Sequence, residues 1–177
     1  MEWRVTAGVQ DPLTVERLLG KLPTWFGIPA SNAGYVAAAR ELPTYLAWPG
    51  RPGDPRQPGD PGQPGDPGWA ARQPAGVLLA HRHFPQSAEI HLMAVDPAVH
   101  RRGAGRALVV ALEADLVADG VEFLQVKTLG PSHSDPGYAL TRQFYGSLGF
   151  RPLEETTQWW GADNPCLVMV KALPGRA

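Results

Sequence analysis

The segment "AVDPAVHRRGAGRALVVALEADL", Ala94 to Leu116, holds the residues with the plainest chemical meaning. A strand-like run ends at Val95, Pro97 stops it, and a basic loop leads straight into a helical pattern. The free N–H groups of a helix's first turn, with its dipole, attract phosphate. Gly103 and Gly105 carry no Cβ to hold the backbone away from an anion. Arg101, Arg102 and Arg106 add positive charge, and the whole reads as a pyrophosphate cradle. Two familiar phosphate motifs do not fit. Walker A continues Gly-Lys-Ser/Thr, whereas this chain continues Gly-Arg-Ala. The dinucleotide fingerprint needs a third glycine where Leu108 stands, and it opens a first βαβ unit.

The elements that must position this loop follow from periodicity and punctuation. Trp3 and Val5 alternate with polar residues as a first strand does. Asp11-Pro12 predicts an N-cap with proline at the first helical position, followed by the apolar stripe Val15, Leu18, Leu19 and Leu22. Ser31 opens a second helical stretch, and "TYLAW" is strand-like. "AGVLLAHRHF" and "AEIHLMAV" are the third and fourth strands, with the turn-like "PQSA" between them. A helix over 105–118 carries Leu108, Leu112 and Leu116, and "VEFLQVKTL" is the fifth strand. "GPSHSDPG" is a loop, and "YALTRQFYGSLGF" is a helix ending near Gly149 as its C′ glycine. "RPLEETTQW" and "PCLVMVKAL" close the chain as strands.

The order β-α-α-β-β-β-α-β-α-β-β predicts a mixed α/β (α+β) fold: a mostly antiparallel seven-stranded sheet with helices on both faces. The crossover over 88–128 implies one parallel pair. The 177 residues suit a single domain, 1–177. The net charge of −1 argues against non-specific nucleic-acid binding. No apolar run is long enough to cross a bilayer, and "MEWRVTAGVQ" lacks a signal peptide's apolar core. The single cysteine, Cys166, suits a reducing cytoplasm and reads as a small buried strand residue. Thirteen arginines against three lysines point to a GC-rich bacterial genome.

With this loop after the fourth strand, the chain resembles the GCN5-related N-acetyltransferase (GNAT) family, whose signature there is Gln/Arg-x-x-Gly-x-Gly/Ala. Here it reads His100-Arg101-Arg102-Gly103-Ala104-Gly105, with His100 in place of Gln or Arg. "YALTRQFYGSLGF" matches the family's second motif, ending Tyr-x-x-x-Gly-Phe at Tyr145, Gly149 and Phe150. The resemblance covers essentially the whole chain apart from one insertion. It implies acetyl-CoA as acyl donor and direct acetyl transfer to a primary amine in a ternary complex. It also implies pantetheine contacts from the main chain of Met93 and Val95, and a pyrophosphate held by the amides from Arg101 to Arg106.

The amine must lose a proton, and the departing thiolate benefits from receiving one. Tyr145 occupies the family's acid position, and helical spacing places Tyr138, Arg142 and Tyr145 on one stripe. Leu140, Phe144 and Leu148 form a separate stripe, expected to face the core. On the fourth strand Glu89, His91, Met93 and Val95 share a face if no bulge intervenes. The resemblance makes Glu89 a candidate base, which needs a raised pKa to work near neutrality. His91 could do the same work with less tuning, and water remains a third option. His81, His83 and His91 invite a metal, but no cluster has a recognised ligand spacing, so none is expected.

The resemblance implies an acceptor pocket shaped by the first helices and the last hairpin, regions that carry Trp25, Phe26, Tyr35, Trp159 and Trp160, with Tyr138 and Arg142 as further candidates. Aromatic walls suit a small, partly apolar or cationic amine. The leading expectation is a small-molecule N-acetyltransferase. A protein or peptide acetyltransferase, a non-catalytic acyl-CoA sensor and a homodimer stay open. The insertion at about 49–73 contains "PGDPRQPGDPGQPGDPG", with proline at every third position from Pro49 to Pro67. Arg56 stands where a triple helix admits only glycine, and the stretch is too short for a stable collagen trimer. It reads as a hairpin expansion between the second and third strands, costing about 1.6 kcal/mol in loop closure and dispensable for catalysis.

Overall fold

The computed structural model describes residues 2–50 and 73–175, so most of the proline-glycine repeat lies outside the described residues. Seven strands, β1 (Trp3–Ala7), β2 (Thr44–Pro49), β3 (Gly76–Phe84), β4 (Ser87–Val95), β5 (Phe123–Leu129), β6 (Arg151–Thr156) and β7 (Cys166–Ala172), stand in the order β1-β2-β3-β4-β5-β7-β6. Four helices join them: α1 (Pro12–Gly20), α2 (Pro29–Ala38), α3 (Ala104–Ala118) and α4 (Pro136–Ser147). The β4–β5 pair is parallel, as the α3 crossover requires, while β1–β2, β2–β3, β5–β7 and β6–β7 are antiparallel. The insertion therefore joins two paired neighbours, with Leu46 opposite Val77.

The chain divides into two compact units, one of Met1–Leu79 with Leu92–Leu112, the other of Ala80–His91 with Glu113–Ala177. In the first unit α1 starts where the sequence places it. Asp11 accepts the Thr14 amide at 2.9 Å and the Thr14 hydroxyl at 2.6 Å, and Pro12 fills the first turn. Val15, Leu18, Leu19 and Leu22 are buried with Leu46, Val77, Leu79, Leu92 and Ala94. Burying each of these valine and leucine side chains contributes about 1.5–3 kcal/mol. α2 begins at Pro29, two residues before the serine expected to open it, because proline presets the helical φ without needing an N–H partner.

In the second unit α4 is capped by Asp135, which accepts the Tyr138 amide at 2.9 Å. Its other end is a Schellman turn: Phe150 N–H donates to Tyr145 O at 3.1 Å, Gly149 N–H donates to Gly146 O at 3.1 Å, and Gly149 has φ +95°. The expected apolar stripe of α4 is corrected. Leu140 is 55% exposed, whereas Tyr145 and Leu148 are buried and Thr141 and Phe144 half-buried. The inward face is thus the i, i+3, i+4, i+7 set that begins at Thr141.

Candidate active site

Along β4 burial alternates: Ala88, Ile90, Leu92 and Ala94 are buried, while His91, Met93 and Val95 on the other face are partly exposed. Glu89 shares that second face but is itself buried. The register with β5 is continuous from Ser87 to Ile90, and burial alternates from Ile90 to Val95, which puts His91, Met93 and Val95 on one face. The paired register with β5 ends at Ile90 opposite Val126, although β4 continues to Val95.

Beyond β4 the loop is held at several points, all within the first unit. Asp96 accepts the Ala98 amide at 3.0 Å and pairs with the Lys21 ammonium at 2.6 Å. A short 3-10 turn, Pro97–Val99, follows. Arg101 then takes a left-handed φ of +62° and Gly103 a φ of +91°. Such a conformation costs a non-glycine residue about 1 kcal/mol or more and persists only where its surroundings enforce it. Trp3 supplies part of that enforcement: its indole N–H donates to Arg102 O at 2.6 Å, with the ring beside Gly103. The first i→i−4 bond runs from Ala107 N–H to Gly103 O, leaving the amides of Ala104, Gly105 and Arg106 as the donors a helix start presents. Arg102 departs from the expected set, because its amide donates back to Val99 O at 3.3 Å. The side chains of Arg101, Arg102 and Arg106 are exposed. Backbone donors, a glycine at positive φ and three guanidinium groups fit a pyrophosphate. His100 turns its ring back on the loop, with Nε2 2.8 Å from Val95 O and the ring edge-on to Trp25 at 6.0 Å.

The second unit holds a polar cluster on β3, β4 and β5. One oxygen of Glu89 accepts from Lys127 Nζ at 2.7 Å, His83 Nε2 at 2.7 Å and Gln125 Nε2 at 2.9 Å. Burial raises the Glu89 pKa, but the three hydrogen bonds and the Lys127 charge outweigh it and leave the carboxyl below its ordinary value. The raised pKa that a base at Glu89 needs is therefore absent. The pairing stabilises the fold above the ordinary value of 4.5 and is lost as pH falls through the lowered one. His91 behaves differently. Burial lowers its pKa, the Glu89 charge opposes that, and His81, Lys127 and His83 add to it, so the ring is neutral at physiological pH. Lys127 also lies 5.5 Å from the centre of the Trp159 ring.

Tyr145 is 4% exposed, its ring edge-on to Phe144 at 5.2 Å and to Phe150 at 5.5 Å. Burial holds its phenol above the ordinary value of 10.0, so it keeps its proton. Arg142 donates to Leu129 O at 2.8 Å and Gly130 O at 3.3 Å, so it buttresses the end of β5 instead of presenting a free guanidinium to a ligand. Tyr138 sits half-buried in the first turn of α4, and Trp25 and Phe26 are half-buried against the first unit's core. Cys166 is buried and its thiol pushed up to about 11 by that burial, which suits a packing residue. Among the described residues no group of three or more His, Cys, Asp or Glu is placed to hold a metal ion. Sequence reasoning missed Trp3 and Lys127. Strand alternation carries no sign of a bond to a residue 99 positions away.

A mixed sheet with one parallel pair, and a glycine-bearing helix start after β4, define the acetyltransferase architecture. Residues 65–152 match the family model described as acetyltransferase (GNAT) domain. A GNAT-family protein from Desulfovibrio desulfuricans is similar in fold, with a TM-score of 0.71 at 18% identity over 98% of this chain and 99% of that one. The ribosomal-protein-S18-alanine N-acetyltransferase of Escherichia coli gives 0.68 at 17% identity over 99% and 96%. An aminoglycoside 6'-N-acetyltransferase gives 0.64 at 17% over 98% and 98%. No curated protein matches the sequence. The chain belongs to the GNAT acetyltransferases and is an N-acetyltransferase.

Proposed function

We propose that the protein transfers the acetyl group of acetyl-CoA directly to a primary amine of a small molecule, within a ternary complex. The observation that carries this reading is the cradle: first-turn amides at Ala104, Gly105 and Arg106 behind a Trp3-braced loop with arginines at 101, 102 and 106. These groups hold the pyrophosphate, and the main chain of Met93 and Val95, past the last β5 pair, takes the pantetheine amides. The similar aminoglycoside enzyme was crystallised with coenzyme A. On the acceptor side we assign Trp25, Phe26 and Tyr138. In the second unit Glu155, Asp163, Ser132, His133 and Gln158 line an open hollow whose carboxylates and hydroxyl suit a cationic, hydroxylated amine.

The amine nitrogen forms a bond to the thioester carbonyl carbon, and the C–S bond breaks. His91 takes the proton that the ammonium sheds, directly or through water; as the C–S bond breaks, Tyr145 hydrogen-bonds the departing sulfur, and the second proton lost by the nitrogen ends on that sulfur, so CoA leaves as the thiol. Glu89 stays ionised beside Lys127 and tunes His91. Turnover should therefore rise with pH through an apparent pKa below histidine's ordinary 6.5. Because the Glu89 charge raises the His91 pKa, Glu89→Gln should move that limb to lower pH while turnover persists. Collapse of turnover in Glu89→Gln would return the base to Glu89.

An acceptor screen that follows free CoA thiol tests the function itself. Release with aminated small molecules and none with peptides is expected; the reverse preference points to a protein substrate, and CoA binding without any release points to a sensor. Trp3→Phe keeps a ring but removes the donor to Arg102 O. Losing about 1 kcal/mol of hydrogen bonding should weaken CoA binding by about fivefold in calorimetry. Unchanged affinity would mean the loop keeps its shape without Trp3.

A further inference from the structure

His100 stands in the anion loop, yet its ring is tied to other groups. A carbonyl only accepts, so Nε2, 2.8 Å from Val95 O, carries the hydrogen. The same ring meets Trp25 in a T-shaped contact, with centroids 6.0 Å apart and planes at 78°. We propose that His100 is a positioning residue that couples occupancy of the Val95 carbonyl to the placement of Trp25, and so links the donor site to the acceptor wall. This rests on the function proposed above, in which Val95 takes the pantetheine arm and Trp25 faces the acceptor.

The rest of the loop is held without His100. Lys21 grips Asp96 at 2.6 Å, Asp96 caps Ala98 at 3.0 Å, and Trp3 grips Arg102 O at 2.6 Å. The imidazole is exposed and can move while both flanks stay in place. An incoming amide N–H that donates to Val95 O shares that oxygen with Nε2, weakens its bond and releases the ring from its set position. Trp25, touching the same ring, then changes its surroundings. Glutamine at this position can donate an N–H to Val95 O but has no ring to set against Trp25. The two halves of the linkage are thereby separable.

The test uses the full chain labelled with 5-fluorotryptophan, the six indole resonances assigned by single Trp→Phe variants, and CoA itself as the probe. In the unsubstituted protein CoA should shift the Trp25 resonance. His100→Gln should bind CoA by calorimetry and lose that shift while the Trp3 resonance still responds. His100→Ala should lose the Trp25 shift as well, and with a measured acceptor both variants should change KM for the amine more than kcat. A Trp25 shift that survives in His100→Gln, or that is missing from the unsubstituted protein when CoA binds, overturns the coupling alone. Failure of CoA to bind the unsubstituted protein overturns the proposed function and this inference together.

Discussion

Tyr145→Phe is expected to lower kcat by about 10²–10⁴-fold while CoA affinity stays unchanged. The tyrosine ring is held on its flanks by Phe144 and Phe150 and along its backbone by the amides of Leu148 and Phe150, both donating to Tyr145 O. Phenylalanine fills the same space, so the substitution deletes one oxygen and little else. Burial keeps that phenol protonated across any working pH, which makes it a donor to developing negative charge and gives the rate profile no alkaline limb from Tyr145. The same shift gives a stability signature. A pKa raised in the folded state favours folding below the ordinary value of 10.0, and the benefit is lost as pH rises beyond it; Tyr145→Phe should abolish that loss. Turnover equal to that of the unsubstituted enzyme would remove the hydroxyl from the mechanism and leave Tyr145 a packing residue.

Phe150→Ala should destabilise the protein by about 3–5 kcal/mol. Phe150 is fully buried, and its amide closes the Schellman turn on Tyr145 O while its ring packs against the Tyr145 ring. The Tyr-x-x-x-Gly-Phe motif thus has a physical explanation in this chain. Gly149 supplies the left-handed residue, Phe150 supplies the hydrophobic contact that accompanies such a turn, and together they seat the tyrosine four residues before Gly149. Alanine keeps the N–H and loses the ring, so the urea midpoint should fall and kcat should fall with it. Phe150→Leu should recover much of the stability. A loss below about 1 kcal/mol in the alanine variant would show that the backbone turn alone holds Tyr145.

Much of the architecture was legible because it is set by residues close together in the chain. Asp11-Pro12 caps α1, the stripe through Val15 and Leu22 is buried, and Gly149 ends α4 at positive φ, each as the spacing predicts. The parallel β4–β5 pair followed from the length of the connection between them. The junction proposed as the cradle was legible as backbone for the same reason, since a strand end, a glycine loop and a helix start are contiguous. The inward face of α4 was not. Leu140 is more apolar than Thr141, and only the packing around Tyr145 and Leu148 turns Thr141 inward and Leu140 out.

Protonation lay further out of reach. From the strand pattern Glu89 is a carboxylate on a half-buried face, and burial alone would raise its pKa as the base suggested by the resemblance requires. Its actual character comes from Lys127 and Gln125 on β5, 38 and 36 residues away, and from His83 across the β3–β4 turn. The sequence by itself determined the elements, their order, the strand–loop–helix junction proposed to bind the anion and the groups proposed to move a proton, because short-range sterics and hydrogen bonding govern those. The tertiary structure decided which of those groups is charged, that Trp3 braces Arg102, and that His100 faces Val95 and Trp25. Electrostatic coupling and long-range hydrogen bonds depend on distances in space, and separation along the chain does not encode them.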